Sequence, residues 1–122
     1  MQKSTSIFHD GLLMTVAEFK SMALSFDGVE EHPHFDRMAF KIIGRRIFTT
    51  VHEQQETANV LLSAAGQSVF CQYDKNAVYP VPNKWGKQGW TTFVLKNIPR
   101  ELMLDALNTA YESVVKGKTK KK

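Results

Sequence analysis

The apolar residues of this 122-residue chain change period twice, from helical spacing to alternation and back, and that change limits the fold more than any other feature. Thr15-Val16-Ala17-Glu18 has the form of a capping box, with Met14 and Phe19 at the positions of a hydrophobic staple. Phe19, Met22, Ala23 and Phe26 then recur at helical intervals until Asp27-Gly28 ends the run. From Phe35 the period is two. Met38, Phe40 and Ile42 alternate with Arg37, Ala39 and Lys41, and Gly44-Arg45 turns the chain into the β-rich segment Ile47-Phe48-Thr49-Thr50-Val51. The pattern predicts a hairpin with basic residues at its tip.

A polar stretch from His52 to Thr57 separates this hairpin from a third strand, Asn59-Val60-Leu61-Leu62. Ser63 is placed to cap a short helix carrying Val69, Phe70 and Tyr73, and Asp74-Lys75-Asn76 turns the chain again. Val78-Tyr79-Pro80-Val81-Pro82 is β-like, but its two prolines each lack a ladder donor, which confines it to an edge or an irregular strand. Trp90 to Leu95 reads as a strand. Pro99 then opens a long amphipathic helix whose apolar face runs from Leu102 and Met103 through Leu107 to Val114. The order α-β-β-β-α-β-β-α, with hairpin-length links, predicts the α+β class: a single antiparallel sheet flanked by N- and C-terminal helices. Residues 1–14 read as a lead-in, 15–116 as one domain and 117–122 as a lysine-rich tail.

With 43% apolar side chains, the chain suits one hydrophobic core and not two. Cys71 is the only cysteine, which rules out an intramolecular disulfide and a cysteine-based zinc cluster. The first ten residues lack the apolar core of a signal peptide and no run approaches membrane-spanning length, so the reading is a soluble, monomeric protein of the cytoplasm. The net charge of +4 is misleading until it is located. Residues 116–122 hold five of the 16 basic side chains, leaving 11 in the rest of the chain against 12 acidic ones. The body is close to neutral, with an acidic turn region at Asp27, Glu30, Glu31 and Asp36 and basic clusters at Arg45-Arg46 and at Lys84 and Lys87.

Catalytic chemistry is hard to assemble from these residues. His32, His34 and His52, with Asp36 or Glu53, form a metal-ligand set of unspecific spacing, and loop histidines of this kind are ordinarily solvated or hydrogen-bonded. Cys71 sits beside Phe70 on the apolar side of a short helix, the setting of an inert thiol. The sequence has no phosphate loop, dinucleotide fingerprint or nucleophile elbow. The reading is a non-enzyme without a cofactor or metal.

Asn83-Lys84-Trp85-Gly86-Lys87-Gln88-Gly89-Trp90-Thr91 concentrates tryptophan, glycine and lysine in nine residues. The tryptophans can simply pin a wide hairpin to the sheet. The same anchoring also holds Lys84, Lys87 and Gln88 outward, where ammonium groups meet phosphates. Trp90 is the better candidate for the core and Trp85 for an exposed stacking face.

Three segments together resemble the MmcQ/YjbR family: Phe26-Asp27-Gly28-Val29-Glu30-Glu31-His32-Pro33-His34-Phe35, then Phe40-Lys41-Ile42-Ile43-Gly44-Arg45-Arg46-Ile47-Phe48, then Val81-Pro82-Asn83-Lys84-Trp85-Gly86-Lys87-Gln88-Gly89-Trp90. The resemblance covers residues 15–116. It implies a CyaY-like, or secretion-chaperone-like, α+β fold and a role in binding DNA through a double wing of two β-hairpin loops. Carried onto this chain, one wing is the hairpin at Gly44, Arg45 and Arg46, and the other is the loop from Lys84 to Trp90, giving Arg45, Arg46, Lys84, Trp85, Lys87 and Gln88 as nucleic-acid-binding residues. The same fold suggests iron handling as in frataxin-like proteins, but those use acidic residues on the first helix, where this chain offers only Glu18. The rival function is a protein or peptide interaction module using the sheet face or the proline-rich edge strand near Pro80 and Pro82.

Overall fold

The first helix starts where its caps require. Helix α1, Val16–Leu24, is closed by a reciprocal pair of bonds in which the Glu18 N–H donates to Thr15 Oγ1 and Glu18 Oε1 accepts from the Thr15 N–H, both at 3.1 Å. Met14 and Phe19, at the staple positions, are both buried. The structure, a computed structural model, describes residues 14–120, so residues 1–13 of the lead-in and Lys121 and Lys122 of the tail lie outside the described residues.

Four strands follow α1: β1 (Val29–His34), β2 (Arg37–Ile42), β3 (Ile47–His52) and β4 (Thr57–Leu61). Then come α2 (Ala64–Cys71), β5 (Val78–Pro80), the single helical turn α3 (Lys84–Lys87), β6 (Trp90–Val94), a 3-10 turn over Leu95–Asn97, and α4 (Arg100–Lys120). The sheet has six strands in the order β1-β2-β3-β4-β6-β5, and every neighbouring pair is antiparallel. The α+β class and the single antiparallel sheet agree with the sequence reading.

The order gains one strand at the front. The segment read as an acidic turn, Glu30-Glu31-His32-Pro33-His34, is β1, an edge strand registered from Val29 against Ile42 to His34 against Arg37. An edge strand whose side chains are mostly exposed needs no apolar alternation, so it leaves no periodic signal. At the other edge, β5 lies where its prolines confine it. Helix α4 runs to Lys120, so the backbone stays helical past the domain boundary drawn at 116.

The helices cover one face of the sheet. Phe19 of α1 meets Phe40 edge-on at 5.8 Å between ring centroids, Phe70 of α2 meets Phe93 at 6.1 Å, and Tyr111 of α4 stacks on Phe26 and meets Phe48. Of the three residues expected on α2, only Phe70 is buried; Val69 and Tyr73 are exposed. The register between β2 and β3 shifts between Phe40 and Lys41, and Phe48 and Thr49 are both buried there. On the other face a cross-strand row runs through His32, Ala39, Thr50, Asn59, Thr92 and Tyr79.

Because all the strands are antiparallel, the sheet has two distinct ends. At one lie the β2–β3 turn, the exit of β4, the β5–β6 connection and the C-terminal turns of α4. At the other lie the β1–β2 and β3–β4 turns and the start of α4. The first end is held by two glycines. A Cβ on Gly89, whose φ is +111°, would lie 1.9 Å from the Leu62 carbonyl oxygen, and one on Gly86 would lie 1.9 Å from that of Val81. Gly44 in the β2–β3 turn also has positive φ, +77°, but a Cβ there would meet nothing within 4 Å. Gly44→Ala should therefore lose about 1 kcal/mol, the conformational term alone. Gly89→Ala, which adds a clash with fixed backbone, should lose about 3 kcal/mol or more in urea unfolding. Equal losses would show that the Leu62–Gly89 approach relaxes freely.

Candidate nucleic-acid interface

The β5–β6 connection is built to hold a short basic helix against the end of the sheet. Asn83 takes a positive φ of 80°, and its Oδ1 accepts from the Trp85 N–H at 2.9 Å, opening the turn Lys84–Lys87. Gly86 then packs on Val81, and Gly89 returns the chain to β6 through the Leu62 N–H bond to its carbonyl at 3.0 Å. Gln67 of α2 fastens the whole segment, its Nε2 donating to Gly86 O at 3.0 Å, Thr91 Oγ1 at 3.1 Å and Trp90 O at 3.3 Å. Lys84, Trp85, Lys87 and Gln88 point outward and are exposed.

Trp85 is 49% exposed, with Lys84 Nζ 5.9 Å from its ring centroid, a cation–π distance. Trp90 differs from its expected place in the core. It is half-buried on the helix-free face, opposite Leu61, because it stands three residues before the core-facing Phe93 and strand side chains alternate.

The other predicted cluster occupies the β2–β3 turn. Arg46 is exposed, whereas Arg45 is half-buried and its Nη1 donates to the Val115 carbonyl of α4 at 3.2 Å. Arg45 thus ties the turn to the helix. Between the turn, β4 and the last turns of α4 lies an open recess of about 670 Å³ lined in part by Arg45, Arg46, Leu61 and Ser113.

The strand order brings the two clusters to one end. The β2–β3 turn feeds β3 and the Lys84–Gly89 segment feeds β6, and only β4 lies between them. Their bases are therefore two strand spacings apart, about 10 Å. Among the described residues none of Arg45, Arg46, Lys84 and Lys87 is within ion-pair distance of a carboxylate, and the exposed Lys41 at the end of β2 has no such partner either.

Elsewhere among the described residues, Lys20, Lys96, Arg100 and Lys116 meet carboxylates, whereas Arg37 and Lys75 do not. Lys20 bridges Glu31 at 3.2 Å and Glu53, whose hydrogen bond is the main cause of its raised pKa; Lys96 meets Glu56 at 3.1 Å and Arg100 meets Glu18 at 3.1 Å. Among the described residues, Arg37 is the cation whose pKa burial lowers most clearly. Its Nε donates to Thr50 Oγ1 at 2.8 Å, and its Nη2 is buried without a partner. Arg37 lines a separate recess at that end together with Asp36 and Glu53, whose carboxylates make its surroundings unfavourable for an anion.

The histidines do not converge. His32 Nε2 is 3.0 Å from Glu30, and His52 Nε2 is 3.3 Å from Asp36 while its Nδ1 accepts from the Gln55 N–H. Among the described residues no three His, Cys, Asp or Glu side chains are grouped to hold a metal. Burial raises the pKa of the Cys71 thiol and weakens it as a nucleophile. No described helix is long and apolar enough to cross a membrane.

Sequence reasoning missed Gln67 and the Val115 carbonyl as the groups that fix the two basic segments. A glutamine on a short helix and a backbone oxygen far along the chain carry no local signal.

Comparison with known proteins agrees with this architecture. A crystal structure of the Deinococcus radiodurans protein DR2400, a DUF419 domain, superposes with a TM-score of 0.77 over 92% of this chain and 86% of that one, at 19% identity. No curated protein matches the sequence. The YjbR family model matches residues 24–113, from the end of α1 into the C-terminal part of α4, and the chain belongs to that family.

Proposed function

We propose that the protein binds DNA through the basic end of its sheet, with Arg45, Arg46, Lys84 and Lys87 on phosphates and Trp85 and Gln88 beside them. The observation that carries this reading is the sorting of charge among the described residues: at the opposite end Lys20, Lys96 and Arg100 are paired with carboxylates, Arg37 is half-buried and Lys75 alone is exposed without a carboxylate partner, while these four gather at one end with none within ion-pair distance. The spacing of about 10 Å between the two basic segments is on the scale of DNA groove widths, about 6 to 12 Å. The segments are positioned by backbone contacts, so the lysines need little reorganisation to engage a strand.

The peptide-docking alternative has less support. Both sheet edges carry a proline, Pro33 in β1 and Pro80 in β5, and each removes a donor that an added strand would use.

Backbone recognition predicts a defined salt dependence. Four phosphate contacts give a log–log slope near −3.6, a loss of about 150-fold between 50 and 200 mM salt. In fluorescence anisotropy with a labelled blunt duplex, Lys84→Ala combined with Lys87→Ala should flatten the slope by about 1.8 and weaken binding at least tenfold. Unchanged affinity would remove the β5–β6 segment from the interface. Binding should persist when Lys118, Lys120, Lys121 and Lys122 are replaced by Gln; complete loss there would place the attraction in the terminal lysines alone.

A further inference from the structure

The recess beside Arg45 has a composition that phosphate contacts do not explain. Its lining combines Arg45 and Arg46 with the apolar residues Leu61 and Val114, and Ser113 and Gly117 form its helical side. Arg45 is tethered by its bond to Val115 O, which restrains its guanidinium beside the recess. A planar cation over an apolar floor is a stacking surface for an aromatic ring.

Gly117 lines the same recess and supplies a second, independent sign. It lies inside α4, where glycine destabilises a helix by about 1 kcal/mol relative to alanine. Its φ is not positive, and a Cβ there would meet nothing within 4 Å, so neither backbone geometry nor packing calls for glycine. What its absent side chain does leave is an open wall at the recess, where a ligand can approach the helix backbone.

We propose that this recess takes one unpaired nucleotide of a DNA strand, its base stacked on Arg45 beside Leu61 and its phosphate toward Arg46. The volume of about 670 Å³ accommodates a single nucleotide and is far smaller than a duplex. A base locked in a pair cannot enter. The protein therefore prefers single-stranded or frayed DNA, an inference that rests on the DNA-binding reading above and adds a strand preference to it. Backbone charge alone favours the opposite order, because the electrostatic slope per contact is smaller for single strands than for duplexes.

The test compares a labelled 12-nucleotide oligo(dT) with a labelled blunt 12-base-pair duplex in anisotropy titrations of the full chain at one salt concentration. The wild type should bind the single strand about tenfold more tightly, on the order expected for stacking one base. Gly117→Leu, which fills the recess from the helix while favouring helix, should abolish that preference and leave duplex affinity within about twofold. Ser113→Phe blocks the recess from the preceding turn and should act alike; thermal melting verifies that both variants fold. Equal or duplex-favouring binding by the wild type, or a preference that survives both substitutions, would overturn the recess site while leaving the charged end in place. Absence of binding to either probe would overturn the DNA-binding reading beneath it as well.

Discussion

Gly89 brings its backbone so close to Leu62 that even a methyl group would lie 1.9 Å from the carbonyl oxygen, and the geometry of the basic end follows from that approach. The Leu62 N–H bond to Gly89 O joins the exit of β4 to the entry of β6, and the Val81 N–H bond to Trp90 O closes β5 onto β6. Gly86 against Val81 O folds the connection flat, and the side-chain amide of Gln67 spans three acceptors across it. A nine-residue connection would ordinarily sample many conformations. Here its lysines have addresses fixed relative to β4, and through β4 relative to the β2–β3 turn.

The same end receives the last turns of α4, and the electrostatics of the helix explain why that is favourable. Unpaired carbonyls give a helix C-terminus a partial negative charge, which nearby cations stabilise. Arg45 brings its charge to the last two turns by donating to the Val115 carbonyl, which is not itself one of the unpaired four, and Lys116 pairs with Glu112 at 3.8 Å one turn back. Lys116 thus sits on a helix already joined to the β2–β3 turn through Arg45. The opposite end has the reverse character, with Glu18 in the first turn of α1, where carboxylates belong, and Arg100 paired to it.

How much of this was legible in the sequence varied with the range of the interaction. The capping box of α1, the Ser63 cap of α2 and the strand β2 are written in a few consecutive residues, and each is present, although Ala39, on the polar side of the β2 alternation, is buried. Strand β1 was not legible: Glu-Glu-His-Pro-His has neither alternation nor apolar content, and it pairs because β2 offers it an edge. The position of Trp90 needed the register of β6, and a residue at a strand's first position can face either side. The meeting of the two basic segments was the least accessible feature. It depends on β6 inserting between β4 and β5, two parallel strands joined through α2, and no local pattern specifies which strand fills that gap. The Arg45–Val115 bond spans 70 residues and is invisible for the same reason.

A chain whose first 115 residues carry 11 basic and 12 acidic side chains has almost no net field to draw a polyanion from a distance. What it has is polarity along the sheet. Beyond a Debye length of about 8 Å at physiological ionic strength, the paired ion networks at one end are screened and contribute little. Within that distance the unpaired guanidinium and ammonium groups at the other end act as individual charges. Such a surface favours contact in one orientation and gains its affinity only at close range, where shape and stacking also operate. Neutrality of the body is thus compatible with the proposed binding of a polyanion, in which recognition would rest less on overall attraction than on the arrangement of a few side chains at one end of the sheet.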